Sequence, residues 1–201
     1  MGMSYGTLMP VFARDVFGGG ARTLGFLLGA SGLGALAGAA VLASRPTGAG
    51  LERRVAWGAG LFGAALAAFS LTRGLVVALP LLLVGGLGMM LQIASSNTLL
   101  QTVVDDDKRG RVMALYTIAF LGMMPFGSLL AGGLAHLMGA AHTLTIGGAT
   151  CLVGAAVFAG RLPALATRLR PIYAQKGLLP LVAPTMRSPA RPAADSHAGV
   201  G

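Results

Sequence analysis

The sequence predicts an all-α polytopic membrane protein, and three observations carry that expectation. Of 201 residues, 55% are apolar and only 10% are charged, with a mean hydropathy of +0.76, so too little polar surface exists for a water-soluble domain of this length. The charges are also segregated, because residues 23–44, 55–72, 74–104 and 112–160 carry none. Finally, 32 residues are glycine, and small residues let helices approach closely in lipid, where no hydrophobic force presses them together.

A hydrocarbon core of about 30 Å needs roughly 20 residues of helix at about 1.5 Å each. Three of the charge-free runs fit one span apiece. The fourth, 49 residues long, must double back, and Gly139, Ala140, Ala141 and His142 form the natural turn. The approximate spans are therefore 23–44, 55–73, 75–104, 111–138 and 142–160, five full helices. Ahead of them, only 13 residues precede Arg14, about 20 Å of helix, so residues 1–17 read as the outer part of a truncated first span. Ser4, Tyr5 and Thr7 form a polar group there, followed by Pro10, which breaks the backbone ladder. A discontinuous helix lining a cavity and a frayed end both account for that pattern. No basic residue precedes the apolar part, which argues against a secretory signal peptide. A charged amino group at Met1 would sit in the bilayer at high cost, so the chain is expected to begin partway through a larger protein.

Six of the ten prolines fall beyond residue 161, where the composition turns to Pro, Ala and Ser. Residues 164–201 are accordingly expected to be a disordered tail, with Arg161, Arg168, Arg170 and Lys176 against anionic headgroups. Spans alternate sides, so the loops holding Arg45, Arg53, Arg54, Lys108, Arg109 and Arg111 share one face with that tail. Twelve of the 15 Lys and Arg lie on this face, against Arg14, Arg22 and Arg73 on the other. The positive-inside rule makes the richer face cytoplasmic and places a multi-pass protein in the inner (plasma) membrane with its C-terminus inside. The net charge of +9 thus reports topology and lipid attraction, and no nucleic-acid partner is expected.

The glycine-rich stretch from residue 23 to 44 carries Gly25, Gly29, Gly34 and Gly38, two small-xxx-small pairs that suit a helix-packing face. Gly32, Gly34 and Ala37 also match a dinucleotide-binding pattern, but no strand precedes them and no acidic residue follows at the needed distance. In the third full span, Gln92, Ser95, Ser96 and Met89 share one helical side. Interhelical hydrogen bonding and contact with substrate both explain them. Asn97, nearer the basic end, reads as a tie to the neighbouring loop. No Ser/His/Asp constellation is present. His136, His142 and His197 lie near a turn or in the tail and make a poor metal site, and the single Cys151 reads as a small packing residue. Neither an enzyme, nor a cofactor, nor a metal is expected.

Residues 105–111 pack six charges into seven positions. Asp105, Asp106 and Asp107 suit the N-terminus of the following helix, while Lys108, Arg109 and Arg111 either anchor the cytoplasmic side or form a latch that breaks in another conformation. The surrounding sequence, "NTLLQTVVDDDKRGRVMALYTIAFLGMMPFGSLLAGGLAHLMG", resembles the segment joining the tenth and eleventh helices of major facilitator superfamily transporters. The similarity is to the exporter branch that includes the enterobactin exporter, and the run from Arg109 to Met113 is its most specific part. "LMPVFARDVFGGGARTLGFLLGASGLGALAG" likewise resembles that branch's seventh and eighth helices. The resemblance covers residues 1 to about 163, which would be the C-terminal six-helix half of a twelve-helix transporter.

The resemblance implies alternating access by two rocking halves and efflux of a small amphiphilic molecule of drug or siderophore type. It implies Tyr5, Thr7, Met89, Gln92 and Ser96 as substrate contacts, with the loop from Asp105 through Asp106, Asp107 and Arg109 to Arg111 at the cytoplasmic gate. The 23–44 span would pack between halves, and the implied partners are the bilayer, the substrate, and either the N-terminal half or a second copy of this chain. Other readings are a half-size transporter working as a homodimer and a non-transporting remnant or accessory protein. Two departures stand out. The loop "ASRPTGAGLERR" keeps Arg45, Arg53 and Arg54 of the family's gating motif but has Ser44 or Arg45 where an Asp is expected. No Asp or Glu lies in mid-membrane, Asp15 being near the outer surface, so a proton-coupling residue would belong to the missing half.

Overall fold

A computed structural model describes residues 5–44 and 50–175, and among these every regular element is a helix. A short α1 (Tyr5–Val11) widens into a π-helical turn (Phe12–Val16). It is followed by α2 (Ala21–Ala43), α3 (Leu51–Ser70), α4 (Leu75–Val103), α5 (Arg109–Met138) and α6 (Ala140–Gln175). Ser4, Arg45, Lys176, His197 and the rest of the expected tail beyond residue 175 lie outside the described residues.

Among the described residues, four helices are long and apolar enough to cross a bilayer: α2, α4, α5 and the 140–169 portion of α6. The expected span at 55–73 corresponds to α3, which stands outside that set of four. Its 20 residues would reach about 30 Å, but Glu52, Arg53 and Arg54 occupy the first turn. Half of α3 is buried against its neighbours, while Trp57 and Leu61 remain exposed on its outer side. It lies between α4 and α6, and α2 packs against α4. At the margin, α5 touches α1 and α6, and only Gly127 and Ala131 of its 30 residues are buried.

Backbone-to-backbone contact at glycine sets these spacings. A methyl group added at Gly58 would lie 2.6 Å from the Gln92 nitrogen and 2.8 Å from the Gly88 oxygen; one at Gly88 would lie 2.7 Å from the Phe62 nitrogen and 2.9 Å from the Gly58 oxygen. Gly63 of α3 and Gly148 of α6 repeat the reciprocal arrangement, at 3.0 and 2.9 Å from each other's carbonyl oxygen. Between α2 and α4, Gly34 meets the Leu83 carbonyl, Gly86 meets the Ser31 carbonyl, and Gly38 would bring a methyl within 2.8 Å of the Leu87 oxygen. Approach this close brings Cα–H groups against carbonyl oxygens, a weak attraction that recurs between helices.

The short first helix is nonetheless central. Met9 and Phe12 are 0% exposed, and the Phe12 and Phe17 rings sit 5.1 and 6.2 Å from that of Phe69 on α3. Pro10 does not break this helix, which runs on into the wider turn, where the Phe17 N–H donates to the Phe12 carbonyl at 3.0 Å. At the other turn, Gly139 alone joins α5 to α6, in place of the four-residue turn expected. Its φ of +87° is a conformation that glycine adopts without steric cost.

The tail expected from residue 164 is corrected as far as Gln175, where α6 continues unbroken despite Pro163 and Pro171. Leu169 and Tyr173, one turn apart, are both buried, and this packing offsets what the prolines cost. Measured from the Gly63–Gly148 contact, Glu52 lies about 16 Å away along α3 and Tyr173 about 38 Å along α6, yet their side chains are hydrogen-bonded. Straight helices could not close that gap, so α6 bends back over the end of α3, and prolines are the usual cause of such bends.

Packing at glycine is testable by substitution. Gly58→Ala forces α3 from α4 and is expected to destabilise the protein by about 1–3 kcal/mol, the usual cost of overpacking. Gly29→Ala, with nothing within 4 Å, is expected to leave stability unchanged or slightly raised. Unfolding of the detergent-solubilised protein with increasing denaturant measures both.

Candidate functional site

Of the candidate substrate contacts, Tyr5 is fixed by partners on two neighbouring helices. Its hydroxyl lies 2.8 Å from Ser31 Oγ on α2, and its ring stands edge-on to Phe62 of α3, with centroids 5.7 Å apart. Ser31 is buried near the middle of α2, so this hydrogen bond sits at mid-depth in the bundle. Tyr5, Ser31, Phe62, Gly85 and Gly86 line a cavity of about 10 Å³, room for about one water molecule. Thr7, two residues on, is exposed, as the helical rotation between positions i and i+2 dictates.

The α4 candidates lie farther toward the basic end. Met89 packs against the apolar core. Gln92 and Ser96, one turn apart, are half-buried, and Gln92 is six residues past Gly86, about 9 Å along the helix. Because the Gln92 backbone is what crowds Gly58, this stretch of α4 is seated on α3. Ser95 is 0% exposed, and its hydroxyl has no hydrogen-bond partner among the described residues. Such a buried polar group costs about 1–3 kcal/mol. Asn97 accepts a hydrogen bond from Gln101 Nε2 at 3.0 Å on the same helix; the tie expected to the neighbouring loop is an intrahelical one.

The gate candidates cluster between α4 and α5. Arg109 Nη2 pairs with Asp106 Oδ1, three residues back. The Lys108 N–H donates to the Asp105 carbonyl at 3.0 Å, closing a turn. Asp105, Asp106 and Asp107 do not cap α5, whose first turn holds no acidic residue and whose N-cap, Lys108, makes no side-chain cap bond. These carboxylates and Arg109 instead line an open concavity of about 560 Å³. Arg109 Nε is buried without a partner among the described residues, and Arg111 is exposed. An exposed ion pair of this kind contributes about 1 kcal/mol or less, so Arg109 can exchange partners at low cost.

Of the four glycines read as a packing face, Gly34 and Gly38 meet α4, whereas a methyl at Gly25 or Gly29 would meet nothing within 4 Å. Cys151 is half-buried, its Cβ 3.0 Å from where a Gly63 methyl would stand, and His142 Nδ1 lies 3.0 Å from the Met138 carbonyl. Among the described residues, no three His, Cys, Asp or Glu side chains converge as metal ligands do.

One pair escaped sequence reasoning. Glu52 is buried at 6% exposure in the first turn of α3, and Tyr173 at 2% near the end of α6. The tyrosine hydroxyl donates to Glu52 Oε2 at 3.4 Å. Burial first, and then the adjacent Glu52 carboxylate, push the Tyr173 hydroxyl up to about 12. Beside Arg53 and Arg54, Glu52 looks like one more surface charge. The available signal was the spacing of Leu162, Leu165, Leu169 and Tyr173, one helical stripe running through the supposed tail.

The family described as transmembrane secretion effector, of major facilitator type, matches residues 2–182. No curated protein and no solved structure matches the chain.

Because the folded protein holds Tyr173 neutral, the stability this group contributes is complete below pH about 10, its ordinary value, and is lost as pH rises through about 12. Alkaline titration of tyrosinate absorbance should show one of the three tyrosines ionising near that upper value. In Tyr173→Phe this step should vanish.

Proposed function

The chain belongs to the transmembrane secretion effector family of major facilitator transporters, and from that premise we propose that it exports a small amphiphilic molecule, of drug or siderophore type, by alternating access. Family membership establishes transport as the activity class. The observation that carries the finer reading is the polar path inside an otherwise apolar bundle: the Tyr5–Ser31 hydrogen bond at mid-depth, then Gln92, Ser95 and Ser96 toward the basic end. Apolar walls with a few hydroxyls and one amide suit a ligand of mixed polarity.

In this reading the loop from Asp105 to Arg111 is the cytoplasmic gate, with the basic end and the C-terminus on the cytoplasmic side of the inner membrane. The local Arg109–Asp106 pair is one state of the latch, and exchange to a partner elsewhere is the other. The chain supplies one half of the substrate path. Gly25 and Gly29 on α2, and Gly122, Gly132 and Gly133 on α5, face open space, which supports close docking of another helical half, either an N-terminal one or a second copy.

Accumulation of a panel of fluorescent amphiphiles, in cells with and without the protein, tests this. The expected result is lower accumulation of at least one compound when the protein is present. Arg109→Ala combined with Arg111→Ala should abolish that difference without changing membrane abundance. Gln92→Leu should change the ranking of compounds more than the amount of protein. Equal accumulation of every compound with and without the protein would favour an accessory role instead.

A further inference from the structure

We propose that the basic end of the α3–α6 pair is a binding rim for the phosphate headgroups of anionic membrane lipid, assembled by the bent end of α6. The outward stripes of both helices change character toward the same end. On α3 the exposed positions run Leu61, Trp57, Arg53; on α6 they run Val153 and Val157, then Arg161 and Arg168. Each stripe passes from aliphatic to cationic within about two to three turns, the order of a surface leaving acyl chains for headgroups. Trp57, 75% exposed, stands one turn from Arg53, where an indole ring belongs at the membrane–water boundary.

Among the described residues, the charges on this rim are uncompensated. Arg53, Arg161 and Arg168 form no ion pair with another described residue. The acid adjacent to Arg53 in sequence, Glu52, is buried and engaged by Tyr173. That same bond holds the bent part of α6 over the first turn of α3, so it brings the arginines of two helices to one edge of the bundle. Several guanidinium groups presented to a lipid surface call for an anionic partner, and a planar fork of N–H donors matches phosphate oxygens. The lipid source is favoured over a free anion because each cation continues an apolar stripe fitted to an acyl chain. This inference concerns the lipid boundary and stands apart from the identity of any exported compound.

The protein carries a single tryptophan, at the proposed rim, so its fluorescence reports the neighbouring lipid directly. The full-length chain is reconstituted in phosphatidylcholine vesicles, and quenching of Trp57 by brominated phosphatidylglycerol is compared with quenching by brominated phosphatidylcholine. The expected result is a relative association constant about fivefold in favour of the anionic lipid, the effect of roughly one basic residue at such a surface. It should fall to one in Arg53→Gln combined with Arg168→Gln, and part of the way in Tyr173→Phe. Equal quenching by the two lipids in the unmodified protein would overturn the proposal, whatever the variants do in folding. Loss of the preference on adding millimolar inorganic phosphate would overturn the lipid as the source, while an unchanged preference supports it.

Discussion

The α3 backbone lies against α4 and α6 because Gly58 and Gly88, and Gly63 and Gly148, have no side chains where the helices meet. In water, burial of apolar area could hold three helices together at ordinary spacing. In lipid that force is absent between helices, and stability depends on close contact and weak polar attraction. The two reciprocal glycine contacts therefore fix where α3 sits, and α3 in turn seats the polar stretch of α4. The Ser70–Thr145 hydrogen bond at 2.7 Å and the Glu52–Tyr173 bond at the opposite end pin α3 to α6 on both sides of their glycine contact.

The proposed function depends on what this packing leaves loose. The α2–α4–α3–α6 assembly is tightly interlocked, whereas α5 is buried at only two residues and α1 is a short helix held by Met9, Phe12 and a single hydroxyl pair. A transporter that rocks between two states needs a stiff body and a few contacts that exchange. The stiff body is the glycine-packed core. In the proposed cycle the contact that would exchange is the exposed Arg109–Asp106 pair, replaceable by water or by another side chain at small cost.

The all-helical membrane architecture was legible in the sequence because it depends on a one-dimensional property, the lengths of charge-free runs. The role of α3 was less legible. Its first turn, Glu52-Arg53-Arg54, reads as uniform surface charge, but the structure sends Glu52 inward and leaves Arg53 out, a distinction made by Tyr173, 121 residues away. The end of α6 was misassigned for a related reason. Pro163 and Pro171 argue locally against helix, and only the burial of Leu169 and Tyr173 against a distant segment overrides them. Glycine content predicted close packing correctly in kind. Which glycines serve it could not be known from spacing alone, since Gly25 and Gly29 match the pattern as well as Gly34 and Gly38 do. The candidate contacts were legible as polar interruptions of apolar helices, but the seating of Gln92 on α3 required the fold.

The central claim is that Gln92 and Ser96 border a watered path through the membrane while the outward stripe of α6 faces lipid. A Cys151→Ser background removes the only native thiol, so a cysteine introduced at Ser96 can be compared with one at Val153, which is 63% exposed on the outward stripe of α6. In intact membranes, a hydrophilic thiol reagent should label the cysteine at position 96 well ahead of the one at 153, because thiols react as thiolates where water reaches them. Labelling at 153 but not at 96, or equal resistance at both, would contradict the path and leave the polar residues of α4 as helix-packing groups alone.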